Sequence, residues 1–413
     1  MVCDGLTLTI GTGKVTREWS WTGKGWLTSN VAHIDSGKVW PLADTARLAD
    51  WQVPGVGGDA ELVSVTARES DDEGFTSRHL EVVSTVFYPA SGIAVQHVVW
   101  AYPDAPGLRT QLRLKRTNAP VGNPAAPTVA IGESLPLAMD GVGLQAMGYY
   151  SDTQNRNRPE TEILKEEKIT GASGSINWAS IMVATQGRDG LVLVKESHKC
   201  VNTPDGGANT GGFAWNSEGI SVSGLGWDPK DIDGDRYYSC WANWMILSHG
   251  NEDDMALDLK IWDRIRYPID PARDIYIMAN TWGSTTFKRD AQIQAREDNV
   301  LAEIASQADL GIDVQQIDDG WQGCGYDQWR PVKENVLEPA NAAYGIYKSD
   351  TYPVYPEGWK NVREFAKSKG VTLGLWAAKN IPADDLIWNY ENGDFRYYKI
   401  DFAHLTDMAS YES

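Results

Sequence analysis

The 413-residue sequence has little of the residue types that build metal sites or disulfide frameworks. It contains four cysteines, Cys3, Cys200, Cys240 and Cys324, and no two of them stand at C-x-x-C spacing. Its six histidines are spread along the chain without an H-E-x-x-H motif. Because zinc sites and disulfide frameworks need clustered spacings, the sequence predicts free thiols, no metal and no cofactor.

Positive charge and long apolar runs are also scarce. Lysine and arginine number 37 against 56 acidic residues, a formal net charge of -19. Nucleic acids and anionic membranes are therefore poor partners, since such binding depends on cations that neutralise phosphates. No apolar run reaches the roughly 18 residues of a transmembrane helix. The N-terminus also lacks the charged start and apolar core of a secretory signal, which favours a cytoplasmic location.

Phenylalanine is rare, with 7 residues, whereas tryptophan and tyrosine number 18 and 17. Tryptophan and tyrosine combine an apolar body with a polar edge. Such rings suit sugars, which present C–H faces and hydroxyl rims, but most of them also serve as core residues. The aromatic content is therefore compatible with a carbohydrate ligand and does not by itself establish one.

Residues 6 to about 270 have the pattern of β-strands. Segments 80–88, 93–102 and 108–116 alternate or are rich in β-branched residues, and proline- and glycine-containing turns separate them. Further strands are predicted at 179–185, 191–195 and 236–247. More than 250 residues of this kind predict a large antiparallel β-sandwich domain of two sheets over residues 1–270.

From residue 271 the pattern changes to an alternation of strands and helices. Strands are predicted at 274–279, 312–317, 371–376 and 396–401. Helices are predicted at 289–308 and 357–369, the second ended by Gly370, and 383–390 is a short polar and aromatic segment. This alternation is typical of a parallel sheet, so residues 271–413 are interpreted as the first four βα units of a (β/α)8 TIM barrel, which takes about 250 residues in full.

The last predicted strand carries one lysine and one acid two residues apart. Alternate side chains of a strand share a face, so Tyr397, Lys399 and Asp401 are expected on one face and Tyr398, Ile400 and Phe402 on the other. The first face is chemical and the second is expected to pack. At the C-terminal end of a barrel strand, with an ammonium nearby to keep it ionised, Asp401 could act as a carboxylate nucleophile.

All four predicted parallel strands end in polar or aromatic residues. These ends are Asn280-Thr-Trp282, Asp318-Asp-Gly-Trp321, Trp376-Ala-Ala-Lys-Asn380, and the Lys399/Asp401 pair. Core packing does not require such residues in loops, whereas active sites of βα-barrels are built there. The pattern favours a functional site.

On these motifs the sequence resembles the α-galactosidase-like glycosidases of family 36 of the glycoside hydrolases, which include raffinose-synthase-like transglycosylases. The order of motifs along the four strands and the large N-terminal β-sandwich both match. The resemblance implies a retaining glycosidase acting on terminal α-galactosides of an oligosaccharide or glycoconjugate. It implies these roles: Asp401 as nucleophile, Lys399, Asp318 and Asp319 on the sugar, Trp321 and Trp376 as walls of the site, and Trp282 as a further substrate contact.

The sequence departs from the family at two places. Ala377-Ala-Lys379 follows Trp376 where family members often carry an acid, which weakens the galactose assignment. The family's acid/base lies on a later barrel strand, and Asp407 and Glu412 are poor replacements because that group must sit across the sugar from the nucleophile. The sequence is therefore expected to be the N-terminal portion of such an enzyme, inactive alone.

Two alternatives stay open beside hydrolysis. The first is a transglycosylase of raffinose-synthase type, which differs only in whether a sugar or water accepts the glycosyl group. The second is a non-catalytic carbohydrate-binding protein. Self-association into a homo-oligomer is also left open.

Overall fold

The computed structural model describes residues 1–118, 128–149, 164–196, 211–284, 293–323, 326–336, 351–402 and 408–409. The chain forms two compact units, Met1–Pro268 and Ile269–His404. Met408 belongs with the first unit, where its N–H donates to the Gly226 carbonyl at 2.9 Å. The division lies close to the predicted boundary after residue 270. That 1–270 and 271–413 are separate functional domains stays a prediction.

The first unit is mostly β-structure. Its strands are β1 Val2–Cys3, β2 Thr7–Gly11, β3 Val15–Trp21, β4 Trp26–His33, β5 Lys38–Val39, β6 Glu61–Ser70, β7 His79–Tyr88, β8 Ile93–Ala101, β9 Gly107–Arg116, β10 Ile131–Leu135, β11 Gly143–Tyr149, β12 Leu164–Ile169, β13 Gly174–Ile176, β14 Ile181–Gln186, β15 Asp189–Lys195, β16 Phe213–Asn216, β17 Gly219–Ser223 and β18 Tyr238–His249.

These strands form three antiparallel sheets. The largest has nine strands in the order β12-β11-β14-β15-β18-β9-β8-β7-β6. A five-stranded sheet runs β1 to β5 in sequence, and a four-stranded sheet has the order β10-β17-β16-β13. The predicted meander is confirmed, because β6 to β9 pair with their sequence neighbours. The prediction of two sheets is corrected to one large sheet and two small ones.

One hydrophobic core joins the three sheets. It contains Trp19 and Trp26 of the five-stranded sheet, Val86 and Leu112 of the nine-stranded sheet, and Ile220 of the four-stranded sheet. The Trp26 indole N–H also donates to the Ser84 hydroxyl at 2.5 Å, from the five-stranded to the nine-stranded sheet. Large rings fill the space between sheets, and this accounts for part of the tryptophan content.

The first unit also contains a helix that the sequence interpretation missed. Helix α1 spans Glu252–Arg266, inside the region interpreted as strands only. Asn251 and Asp254 form a capping box, each side chain bonding the other residue's backbone N–H. Trp262 of this helix packs on Val98 and Trp100, on the face of the nine-stranded sheet away from the main core. Strand β8 is therefore covered on both sides, which explains its almost continuous burial.

The second unit alternates strands and helices. Its elements are helix α2 Pro271–Asp274, strand β19 Met278–Asn280, helix α3 Glu297–Leu310, strands β20 Val314–Ile317, β21 Glu334–Val336 and β22 Thr351–Pro353, helix α4 Lys360–Lys369, strand β23 Thr372–Ala378, helix α5 Ala383–Gly393 and strand β24 Phe395–Asp401. Strands β19, β20, β23 and β24 form a parallel sheet in that order, and β21 pairs with β22. The predicted parallel arrangement is confirmed for these strands.

One local prediction in the second unit was wrong, and one helix was not predicted. Residue 274 belongs to a short helix capped by Asp270, so the first strand begins at Met278. Segment 383–390 is part of helix α5, whose aromatic residues obscure the helical period. Asp384 and Asp385 in its first turn were the available signal, since acids are favourable at a helix N-terminus. Gly370 ends α4 as predicted, in the left-handed conformation at φ 72°.

In the part of the chain that the structure describes, no helix is long and apolar enough to cross a bilayer.

Candidate active site

The carboxyl ends of the four parallel strands bring the predicted polar residues together. The Lys399 ammonium on β24 donates to Asp318 Oδ2, after β20, at 2.9 Å and lies 4.0 Å from Asp401 Oδ2. The Asn280 amide at the end of β19 donates to the same Asp318 oxygen at 2.8 Å. Parallel strands end at one edge of a sheet, and this places groups more than 100 residues apart in sequence within one hydrogen-bonded cluster.

Asp401 is held as an exposed carboxylate. Its Oδ2 accepts from the Trp376 indole N–H at 3.0 Å and its Oδ1 from the Phe402 backbone N–H at 2.8 Å. Phe402 has φ 59°, a left-handed conformation that non-glycine residues seldom adopt outside tight or functional turns. Partial burial tends to raise the pKa of Asp401, but these two hydrogen bonds and the Lys399 charge outweigh it and lower the pKa. Asp401 is therefore ionised at neutral pH, with 41% of its side chain exposed.

Asp318 is almost fully buried, and both of its oxygens are hydrogen-bonded. Besides Lys399 and Asn280 on Oδ2, the Asp319 backbone N–H donates to Oδ1 at 2.9 Å. Its own backbone N–H donates to the Thr281 hydroxyl at 3.0 Å. A carboxylate offers about four acceptor positions, so Asp318 keeps the capacity to accept a further hydroxyl.

Asp319 is held by a different set of groups. The Gln322 amide donates to its Oδ1 at 2.6 Å, and the Tyr326 hydroxyl donates to its Oδ2 at 3.1 Å. The side chains of Asp318 and Asp319 are thus each fixed by named donors, so the two acids are preorganised as separate acceptors.

The tryptophans are placed differently from the expected walls. Trp321 and Trp376 are 0% and 1% exposed and belong to the core of the second unit. The Trp321 indole donates to the Trp376 backbone carbonyl at 2.9 Å, and the Trp376 indole donates to Asp401. These two residues therefore support the site from inside instead of forming an open surface. Trp282 is partly exposed, and its backbone N–H donates to Asn280 Oδ1 at 2.8 Å.

The expected division of the last strand into a chemical and a packing face is only partly right. Lys399 and Asp401 share the face that meets Asp318, as predicted. On the other face Tyr398 packs against the core, but Ile400 and Phe402 are 46% and 49% exposed. Strand β24 is an edge strand of the described sheet, so its outer positions have less cover.

Sequence reasoning missed three residues that contact the predicted acids. Asn280 was noted only as a strand end, and Gln322 only as the last residue of the segment Ile317-Asp-Asp-Gly-Trp-Gln322. Tyr326 was not noted, although this residue is 37% exposed, its ring contacts Trp376 and Phe402, and its hydroxyl donates to Asp319. A polar or aromatic residue shortly after a predicted Asp-Asp pair is the signal that could have identified Gln322 and Tyr326.

Some of the predictions fall beyond what can be described. Asp407, Glu412, Cys200 and Cys324 lie outside the described residues. Cys3 and Cys240 are free thiols. Within the described ranges, no group of three or more His, Cys, Asp or Glu residues is placed to hold a metal ion.

Several solved structures that match the chain are α-galactosidases. The α-galactosidase from Lactobacillus brevis has 12% identity and a TM-score of 0.56, over 95% of this chain and 63% of that one. A family-36 α-galactosidase from Geobacillus stearothermophilus, in complex with raffinose, has 13% identity and a TM-score of 0.54, over 90% of this chain and 56% of that one. The galactosidase domain of an α-galactosidase-sucrose kinase has 11% identity and a TM-score of 0.59, with the same two coverages of 90% and 56%.

The chain shares the fold of the family-36 α-galactosidases. The resemblance predicted from the motifs is thereby confirmed at the level of fold, which is what identities of 11–13% can show. The chain spans 56–63% of the length of these structures. No family model and no curated protein sequence matches the chain.

Proposed function

We propose that this protein is a retaining glycoside hydrolase of family 36 that acts on terminal α-galactosides, with Asp401 as the nucleophile. One observation carries the proposal: Lys399 lies between the buried Asp318 and the exposed, ionised Asp401 at the end of a parallel sheet. The shared fold with α-galactosidases supports the family, and raffinose, bound in one of these relatives, supports an oligosaccharide substrate.

The chemistry follows the double-displacement scheme. An Asp401 oxygen attacks the anomeric carbon, and the bond from that carbon to the leaving-group oxygen breaks with its electron pair. The leaving oxygen takes a proton from an acid/base residue, a role that we assign to no carboxyl in the described ranges. Water then attacks the anomeric carbon, the acid/base residue takes back a proton from that water, and the bond to Asp401 breaks so that Asp401 leaves as a carboxylate.

Lys399, Asp318 and Asp319 take the part of sugar-binding groups in this proposal. The buried acids accept hydrogen bonds from sugar hydroxyls, and the Lys399 ammonium donates to a hydroxyl oxygen while its charge keeps Asp401 ionised. A site built from fixed polar groups rejects a sugar whose hydroxyl points elsewhere, because that leaves the polar group unpaired. Tyr326, which is the exposed ring beside Asp319, is a more suitable sugar contact than the buried Trp321 and Trp376.

We further propose that the parallel sheet of the second unit is part of a (β/α)8 barrel. Its curvature supports this: the ring of Tyr276, just before β19, lies 4.5 Å from that of Tyr397 on β24, although two strands separate β19 from β24 in the sheet. The Tyr397 hydroxyl also contacts the Arg273 carbonyl at 3.4 Å. Residues just before the first edge strand thus reach a side chain on the opposite edge strand, as expected when a sheet is curved towards closure.

Covalent labelling tests the function without relying on an acid/base residue. The protein is incubated with α-galactosyl fluoride carrying a second fluorine that slows turnover, because fluoride leaves without protonation. Digestion and mass spectrometry should locate one galactosyl label on Asp401. The epimeric α-glucosyl fluoride is the control and should label poorly.

Each other result of that experiment has a defined meaning. A label on another carboxyl would overturn the nucleophile assignment, and faster labelling by the glucosyl reagent would overturn the galactoside assignment. Absence of label together with measurable galactose binding would favour a non-catalytic carbohydrate-binding protein. Products that grow longer when an acceptor sugar is added would identify a transglycosylase.

A further inference from the structure

Gln322 is a fully buried amide with both of its polar atoms engaged in the candidate site. Its side-chain nitrogen donates to Asp319 Oδ1 at 2.6 Å, and its side-chain oxygen accepts from the Gly320 backbone N–H at 3.1 Å. These partners fix the amide orientation, because the reverse orientation would set the amide oxygen against a carboxylate and the amide nitrogen against an N–H. Gln322 thus connects the Asp319 carboxylate to the backbone of the same turn.

The turn itself needs this support. Gly320 has φ 124°, a conformation that L side chains rarely adopt, and it directs its N–H back to Gln322. Trp321, in the middle of the turn, is held in the core by its bond to the Trp376 carbonyl. Because the Trp321 ring and the Gln322 amide are both fixed by hydrogen bonds, the Asp319 side chain in this short turn has little rotational freedom.

We propose that Gln322 is a positioning residue that fixes the Asp319 carboxylate in the orientation needed to bind the substrate's hydroxyl groups. The inference rests on the proposed glycosidase function for its consequence, and on the two hydrogen bonds for its mechanism. Gln322 acts through Asp319 and does not itself contact the sugar, since it is fully buried.

Gln322→Glu is the sharpest test because it keeps the shape and changes one group. The introduced carboxyl group, while protonated, still donates to Asp319 and accepts from Gly320, whereas its ionised form would lie about one hydrogen-bond length from another carboxylate. Burial and the like charge both favour the protonated form, so the variant side chain loses its proton only at raised pH. Among the described residues, the titratable groups nearby include Tyr326 on the second Asp319 oxygen, and Asp318, which is paired with Lys399.

The experiment measures galactose binding by calorimetry at pH 5.5 and pH 8. Wild-type affinity should be similar at both values. Gln322→Glu should bind nearly as well as wild type at the lower pH and about tenfold more weakly at the higher pH, as expected for a misplaced polar partner. Gln294→Glu is the matched control, because it makes the same chemical change on a partly exposed residue of the second unit that lies outside the candidate site. It should bind like wild type at both pH values.

Thermal unfolding measures the contact independently of the sugar. Gln322→Glu should lower the melting temperature more at pH 8 than at pH 5.5, and this pH dependence should disappear in an Asp319→Asn background, where the like charge is absent. Equal weakening of binding at both pH values, or no weakening, would overturn the positioning role. If wild type binds no galactose, the proposed function fails, and the contact between Gln322 and Asp319 is then tested by thermal unfolding alone. Non-additive effects of Gln322→Glu and Asp319→Asn on stability would support the contact, and additive effects would overturn it.

Discussion

Two regions of the molecule place one cation between two carboxylates, and they differ in their access to solvent. In the first unit the Arg17 guanidinium donates to Asp50 at 2.8 Å and to Glu133 at 2.6 Å, with the three side chains 0%, 2% and 3% exposed. The Trp19 indole and the Thr28 hydroxyl donate to Asp50 as well. This group is enclosed in the core and leaves no route for a ligand.

In the second unit Lys399 lies between Asp318 and Asp401, again one cation with two carboxylates. Here Lys399 and Asp401 are 44% and 41% exposed, and only Asp318 is buried. A cation between two acids is therefore not by itself evidence of a site. The enclosed cluster lies within the core, whereas the open one has a carboxylate and an ammonium that solvent can reach.

The comparison predicts the largest effect for Asp401→Asn. Removal of the nucleophile should slow consumption of α-galactosyl fluoride by at least about 10⁴-fold, or about 5.5 kcal/mol, while galactose binding stays measurable. The melting temperature should change little, since the side chain is partly exposed. Asp384→Asn, on the exposed start of α5, is the control and should keep wild-type turnover. Near wild-type turnover of Asp401→Asn would show that Asp401 is not the nucleophile and that the exposed cluster is not the catalytic site.

Arg17→Met should have the next largest effect, and on stability instead of binding. Removing one partner of a buried ionic cluster leaves its carboxylates unpaired, which costs about 3–5 kcal/mol of unfolding free energy. Urea denaturation followed by tryptophan fluorescence measures the loss. Lys399→Met should destabilise less, because Lys399 and Asp401 remain partly hydrated, but it should weaken galactose binding. Equal destabilisation by Arg17→Met and Lys399→Met would contradict the difference in solvent access between the two clusters.

The enclosed cluster should also make stability depend on pH. Burial raises the pKa of Asp50 from 3.8 to about 6, with Glu133 adding to the effect and Arg17 opposing it. The folded state therefore holds a proton that the unfolded state releases, so this contribution is present below pH 4 and is lost as the pH rises towards 6. Relative to Asp50→Asn, wild-type unfolding free energy should fall by about 2–3 kcal/mol over that interval. A pH-independent difference would show that Asp50 is ionised throughout.

A buried cluster richer in cations should oppose this trend. Glu196 accepts hydrogen bonds from Arg109 and Arg266. Burial alone would raise the pKa of Glu196, but the two arginines outweigh it and lower the pKa to about 2. Its contribution is present above the unfolded value and is lost only as the pH falls towards 2. Working above pH 4.5 therefore separates the Asp50 effect from that of Glu196.

The smallest effects are expected for the paired acids. Asp318→Ala and Asp319→Ala should each weaken galactose binding by about 1–2 kcal/mol, because sugar hydroxyls and neighbouring donors lose an acceptor. Calorimetric titration measures this change. Asp327→Ala, an exposed acid a few residues along the loop, should bind like wild type. Normal binding by both paired-acid variants would make them structural, like the carboxylates around Arg17.

Much of the fold could be predicted because its signals are local. Alternation over 80–88 and 93–102 gave strands β7 and β8 nearly to the residue, and Gly370 marked the end of α4. Helix α1 escaped because its capping residues were surrounded by predicted strands. The number of sheets escaped because the alternation of a strand indicates a buried face but not which sheet covers it.

The candidate site divides in the same way. Asp318, Asp319, Lys399 and Asp401 were predicted from their places at strand ends, and the structure brings three of these side chains into one cluster through Lys399, although their roles stay predictions. The burial of the Trp321 ring could not be predicted, because a tryptophan in the sequence is compatible with a ring that faces a ligand and with a ring that packs in the core. Its placement depends on the Trp376 carbonyl, which another strand supplies.

The sequence by itself determined the strand pattern, the change to βα alternation near residue 270 and the acids at the strand ends, because each depends on neighbours within a few positions. Tertiary structure alone decided which charged side chains form pairs and which of them remain exposed to solvent. Arg17 and Glu133 are 116 positions apart, as measured along the chain, yet share a hydrogen bond inside a core. Lys399 and Asp318 meet over 81 positions at an open sheet edge. The first contact joins strands of two different sheets across the core, and the second joins the ends of strands in one parallel sheet. No local pattern encodes which distant strands meet, or whether the resulting pair is enclosed or exposed.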